Sequence, residues 1–168
     1  RLFLNQADGV VLIPNQRLLS IKDGHIELQK AFGVVTHAVN QSILAMARLI
    51  NVPGVINIDF ADIRRLVMNS QGVCKLACAR QEGPDRVQQA VRDTFDHPLF
   101  ESRAILREAQ SVIVGICGGP DLTLRDIELI MEEFSAVIGD AARVKMGTTI
   151  DPNMTGQISL FVLASDMP

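Results

Sequence analysis

Gly54-Val55-Ile56-Asn57-Ile58-Asp59-Phe60-Ala61-Asp62 is the stretch on which the reading of this chain turns. It follows a long amphipathic pattern closed by Pro53, and it gathers a carboxamide and two carboxylates between Asn57 and Asp62. Two readings of those groups are open. Asp59 can be the N-cap of a following helix with Asp62 three residues on, both carboxylates lying near the positive end of the helix. Alternatively the pair projects outward from a loop, with Asn57 beside it, and polarises a water or holds a cation.

Upstream, Ile26, Leu28, Phe32, Val35, Val39, Ile43, Ala47 and Ile50 recur mostly at three- and four-residue spacing, which predicts a long helix. Few charges interrupt it (Glu27, Lys30 and Arg48), so it reads as a spine flanked by protein on more than one side. Val52-Pro53-Gly54 ends it, because proline removes a donor and glycine tolerates the turn. Earlier still, the apolar run Val10-Val11-Leu12-Ile13 stops at Pro14-Asn15 and reads as a buried strand. Its backbone needs neighbours that nothing preceding it supplies, so it is expected to be an orphan.

Downstream, Phe60, Ile63, Leu66 and Val67 predict a helix to about Ser70. Val73–Arg80, Ser111–Cys117, Ala142–Thr149 and Gln157–Ala164 are rich in β-formers and predict strands. Pro84 opens a helix over Asp85–Phe95, and Thr123 with Asp126 resembles a capping box for another through Ile138. The polar stretch Asp96–Glu108 reads as a surface connection. Helical crossovers permit parallel neighbours among the first three strands, and the turn-rich Asp151–Gly156 loop predicts antiparallel pairing of the last two. The fold class is α+β: a mixed four-stranded sheet backed by two helices, preceded by the long core helix and one orphan strand.

With 168 residues the chain suits one domain, or one domain with an arm. Hydrophobic residues make up 48%, and with 7 Phe but neither Trp nor Tyr the core must be aliphatic. A net charge of −3 without a basic stripe argues against nucleic acid as a partner. Apolar runs such as Val112–Cys117 are strand-sized, against the ~20 residues of a membrane helix, so direct membrane insertion is not expected. Arg1-Leu2-Phe3-Leu4-Asn5 is neither a signal peptide nor a start at Met, which reads as an excised or processed piece.

Cys74, Cys78 and Cys117 read as buried small apolar residues of a reducing cytoplasm, and the scattered His25, His37 and His97 offer no metal-ligand spacing. Gly118-Gly119-Pro120-Asp121 lies where phosphate loops occur but has neither glycine-rich spacing, so it reads as a turn before a helix. His37 inside the spine and Asn15 after a strand read as ordinary helix and turn residues on spacing alone.

Taken in order, several segments resemble the FtsZ family, the prokaryotic tubulin homologues that polymerise into the cell-division ring. They are Ile13-Pro14-Asn15-Gln16-Arg17-Leu18-Leu19, Ala31-Phe32-Gly33, Asn57-Ile58-Asp59-Phe60-Ala61-Asp62-Ile63-Arg64 and Gly147-Thr148-Thr149-Ile150-Asp151-Pro152-Asn153-Met154. Pro84-Asp85-Arg86 and Gly118-Gly119-Pro120-Asp121-Leu122 also sit where the family has similar segments. The resemblance implies a C-terminal piece of the tubulin/FtsZ type. Residues 1–25 would end the GTPase domain, 26–52 would form the core helix, and 53–168 the C-terminal domain with a synergy loop at 54–62.

The resemblance further implies that Asp59 and Asp62, supported by Asn57, complete the GTPase site of the adjacent subunit. Asn15 and Phe32 match positions that contact the guanine base of GTP or GDP. Thr36 and His37 depart from the pattern, since bacterial members commonly have Asn and Asp there. A neutral imidazole offers one acceptor and one donor where a carboxylate offers two acceptors, which leaves guanine selectivity open. Mg2+ is compatible with the family but not seen in the sequence.

Implied partners are further copies of the chain along a filament, and other division proteins bound through the C-terminal domain or a tail. The implied place is the cytoplasm at the division site, and the fragment alone is expected to be inactive because the phosphate loops lie elsewhere. Two alternatives stand beside this: a non-enzymatic α+β ligand-binding module in which Asp59 and Asp62 only cap a helix, and a relative that regulates polymers without hydrolysing GTP.

Overall fold

The predicted spine is a helix of 24 residues, α1 (Leu28–Asn51). The computed structural model describes residues 10–11, 28–69, 73–97, 99–100 and 103–165. Around α1 lie β1 (Val10–Val11), α2 (Phe60–Asn69), β2 (Val73–Glu82), α3 (Arg86–Phe95), α4 (Ala104–Glu108), β3 (Ser111–Gly118), α5 (Leu124–Ser135), β4 (Arg143–Ile150) and β5 (Gln157–Ser165). A single 3₁₀ turn, Pro152–Met154, joins β4 to β5. None of the helices among the described residues is long and apolar enough to cross a membrane.

Among the described residues the sheet is mixed and five-stranded, in the order β1-β2-β5-β3-β4. Two corrections to the sequence reading follow. Val10 and Val11 are not orphans: they pair in parallel with Val73 and Cys74 at the edge of β2. The last two strands are not partners either. β5 runs antiparallel between β2 and β3, and β4 lies on the far side of β3, paired with it in parallel. The β4–β5 connection therefore steps across β3, carried by the Pro152–Met154 turn. A turn-rich loop fixes that the chain reverses, but which strand it returns beside depends on packing.

The central strands are buried on both faces, which explains their nearly continuous apolar runs. On one face Ala77, Val112, Val114, Ile116, Leu160 and Val162 pack under α3 and α5, with Phe95 and Phe134 rings 4.9 Å apart. On the other, Cys74, Leu76, Cys78, Ile113, Phe161 and Leu163 pack under α1 and α2. α1 approaches through Ala38, Ser42 and Leu49, and glycine at 115 is what admits Leu49: a Cβ there would lie 2.8 Å from its Cδ2. Phe32, Ile43 and Leu44 are exposed on other sides of α1.

The predicted surface connection Asp96–Glu108 is only partly at the surface: among its described residues Asp96, Arg103, Ala104, Arg107 and Glu108 are exposed. His97, Leu99, Phe100 and Leu106 are buried, Ala104–Glu108 is helical, and the Arg103 guanidinium stands 4.6 Å over the Phe95 ring. Its polar residues alternate with apolar anchors too irregularly spaced to show a period. The Thr123–Asp126 capping box forms as predicted: Thr123 Oγ1 accepts from the Asp126 amide, and Asp126 Oδ2 accepts from the Thr123 amide. Cys74 and Cys78 are buried, and Cys78 Sγ accepts from Ser42 Oγ at 3.3 Å.

Candidate functional site

The loop after α1 is fastened to the sheet edge by its own backbone. Val55 and Ile56 amides donate to the Thr148 carbonyl (2.8 and 3.3 Å), and the Thr148 amide donates to the Ile56 carbonyl (2.8 Å), an antiparallel bridge onto β4. Gly54 is required by this approach, since a Cβ there would collide with the Thr148 carbonyl oxygen. Ile58 turns inward against Gly147 and is buried. Asn57 closes the turn by accepting from the Gly54 amide at 2.7 Å.

With Ile56 pinned and Ile58 buried, alternation pushes the intervening groups out. Asn57 and Asp59 are exposed, as are Val55 (76%) and Phe60 (66%). Asp59 Oδ1 accepts from the Asp62 amide at 2.8 Å, and Asp62 Oδ2 accepts from the Asp59 amide at 3.3 Å. The two carboxylates thus cap α2 reciprocally, the helix-start arrangement one of the sequence readings described. They do not share an environment. The Asp62 side chain is only 6% exposed and its Oδ1 meets Lys145 Nζ of β4, with Arg65 Nη1 at 4.0 Å.

Burial pushes the Asp62 carboxyl up, but Lys145, the Asp59 amide and the Asp59 side chain outweigh it and hold it below the ordinary carboxylate range. Lys145 was invisible to sequence reasoning. It stands 83 positions from Asp62, in a strand whose alternation says nothing about cross-element ion pairs. The same limitation hid Arg86, which bonds Asp121 at 2.9 Å, while Asp121 in turn accepts from the Gly156 amide at 3.0 Å. The Gly118–Leu122 segment, read as a turn, is such a structural brace.

The predicted base-contacting residues lie elsewhere. Asn15 falls outside the described residues. Phe32, Thr36 and His37 sit in the N-terminal half of α1 and are exposed. Phe32 and Thr36, four apart, share a helix face, whereas His37 lies roughly 100° further round. His37 lines an open cavity of about 800 Å³ between α1 and the sheet, with Cys78, Arg80, Asp93 and His97. His37 to Asn51 is fourteen residues of straight helix, about 21 Å of rise. Phe32, Thr36 and His37, the residues expected to contact a base, therefore lie toward one end of α1 and the acidic loop follows the other.

Among the described residues there is no group of three or more His, Cys, Asp or Glu placed to hold a metal ion. Asp62 has one oxygen on Lys145 and the other on an amide, so the loop leaves chiefly Asp59 Oδ2 for any outside group. That donor set does not fit a cation wanting six oxygens.

Residues 72–168 match a family model described as FtsZ family, C-terminal domain. The chain is 32% identical over 99% of its length to the cell division protein FtsZ of Pseudomonas putida, covering 42% of that protein. It is 31% identical over 95% of its length to cell division protein FtsZ 1 of Archaeoglobus fulgidus, again covering 42%. Among solved structures it superposes on an empty FtsZ dimer from M. jannaschii with a TM-score of 0.78 and 25% identity, over 96% of this chain and 46% of that one. It shares its fold with CetZ from Methanosaeta thermophila (TM-score 0.73, 19% identity, 96% of this chain and 44% of that one). The chain thus spans less than half the length of these relatives.

Proposed function

The chain belongs to the FtsZ family, and on that premise we propose that it is the C-terminal part of a cell-division GTPase that polymerises at the division site in the cytoplasm. In this reading residues 1–25 end the GTPase domain, 26–52 form the core helix, and 53–168 form the C-terminal domain. The loop at 54–62 enters the nucleotide pocket of the next subunit along the filament. There Asp59 and Asp62, supported by Asn57, orient the water that attacks the terminal phosphate of GTP. Phosphoryl transfer asks a protein mainly for positioning and electrostatics, so groups supplied by a neighbour are sufficient.

One observation carries this reading. α1 holds Phe32, Thr36 and His37 about 20 Å or more from its own C-terminal end, where the loop carrying the exposed Asp59 begins. A single rigid subunit cannot bring the two ends to one nucleotide, whereas head-to-tail stacking of copies does so at every interface. Asn15, Phe32, Thr36 and His37 are then base-side residues, with His37 substituting a single acceptor for a carboxylate. Other division proteins bind the C-terminal domain or a tail.

Steady-state GTP turnover of the intact protein tests the loop. Asp59→Asn and Asp62→Asn should each lower turnover roughly a hundredfold or more while sedimentable polymer persists. Retained turnover in both variants rejects the reading. The reciprocal cap and the burial of Asp62 favour a second possibility, a non-enzymatic module in which these carboxylates serve only α2. Asp62→Asn would then cost about 1 kcal/mol of stability and leave partner function intact.

A further inference from the structure

We propose that Lys145 is a positioning residue for Asp62, fixing the orientation in which that carboxylate is offered to the neighbouring subunit. The proposal rests on the trans-acting reading of the loop given above. Lys145 Nζ donates to Asp62 Oδ1, while Oδ2 accepts from the Asp59 amide. With one oxygen on β4 and the other on the loop, the carboxylate cannot rotate without breaking a bond. Lys145 is thereby the link between the acidic turn and the sheet, complementing the backbone bridge at Ile56 and Thr148.

The pair straddles the surface: the Asp62 side chain is 6% exposed and that of Lys145 is 55% exposed. A fully exposed ion pair contributes about 0–1 kcal/mol, but only the lysine end of this one is in solvent. A buried carboxylate stripped of its partner is a different matter, because its charge is left without compensation. The charged groups facing Asp62 are Arg65 from α2, Arg143 and Lys145 from β4, and Asp59 from the loop; β3 contributes the neutral Ser111, Val112 and Ile113. These cations line a cavity of about 120 Å³ beside Asp62, and of the three only Lys145 is within hydrogen-bonding distance of it. Burial raises the Asp62 pKa and Lys145 lowers it, so removal of the lysine shifts that pKa upward.

The test uses the intact protein carrying Lys145→Met, with Lys145→Gln in parallel so that a folding defect in one does not decide the outcome. Lys145→Arg and Asp62→Asn complete the set. GTP turnover is followed against pH, with kcat and KM resolved, polymer measured by sedimentation and folding by thermal melting. Lys145→Met and Lys145→Gln should lower kcat on the order of tenfold, leave KM for GTP unchanged, and displace the acid limb of the profile to higher pH. Lys145→Arg should restore both, since a guanidinium reaches the same carboxylate. Parental kcat and acid limb in the Met and Gln variants overturn the proposal. So does a kcat loss with an unmoved limb and no rescue by arginine, which marks general damage. Undiminished turnover in Asp62→Asn instead overturns the trans-acting role given to Asp62, whatever Lys145 does.

Discussion

Asp59 and Asp62 illustrate how two identical side chains, three positions apart, acquire different chemistry from their surroundings. One faces water with an uncommitted oxygen, and the other is enclosed and ion-paired. Asp62 has a depressed pKa in the fold, so its contribution to stability is present above the ordinary carboxylate range and is lost as pH falls through the folded value. His97 gives a wider window. It is buried, its Nδ1 accepts from the Leu99 amide at 3.2 Å, and burial lowers its pKa from 6.5 to about 4. Between these values the unfolded chain binds a proton that the fold refuses, so stability is full above about 6.5 and falls as pH drops toward 4, by roughly 3 kcal/mol at most. Thermal melting across that range should show the loss, and His97→Asn, which keeps an acceptor for Leu99, should flatten it.

At the scale of elements, the acidic loop depends on how it is held to β4. Gly54 touches the Thr148 carbonyl so closely that any Cβ forces the two backbones apart. Gly54→Ala should therefore detach the loop, lowering GTP turnover of the intact protein tenfold or more, while the sheet core and its melting temperature change little. Turnover equal to the parent's would mean the bridge at Ile56 and Thr148 is not what presents the loop. Most helices and strands were legible because their signals are local: apolar spacing for α1 and α2, a capping box for α5, β-branched runs for β3 and β5. α4 was not, because Leu99, Phe100 and Leu106 anchor an irregular polar segment without any period. The partners of β5 were equally hidden, since the chain leaving β4 can return beside β4 or on the far side of β3, and only packing of both faces decides which.

For the molecule as a whole, α1 presents one face to the sheet and leaves Phe32, Ile43 and Leu44 exposed. The acidic loop follows one end of α1, the proposed base-side positions lie toward the other, and the filament reading makes each end the counterpart of the other in the next copy. The 168-residue chain, added in excess to assembling intact protein, should occupy the nucleotide-facing end of terminal subunits and reduce sedimentable polymer. Circular dichroism first establishes that the added chain is folded. Undiminished polymer at excess folded chain counts against the longitudinal contact.

By itself the sequence determined the α+β class, the long spine, the acidic turn after Pro53 and the likeness to FtsZ, all properties carried by neighbours along the chain. Only the tertiary structure decided that β5 lies between β2 and β3, that Val10 and Val11 find a partner, and that Asp62 faces Lys145 while Asp59 faces water. Those outcomes depend on contacts between residues tens of positions apart, whose energies arise from burial and charge pairing in three dimensions and leave no periodic trace in the order of residues.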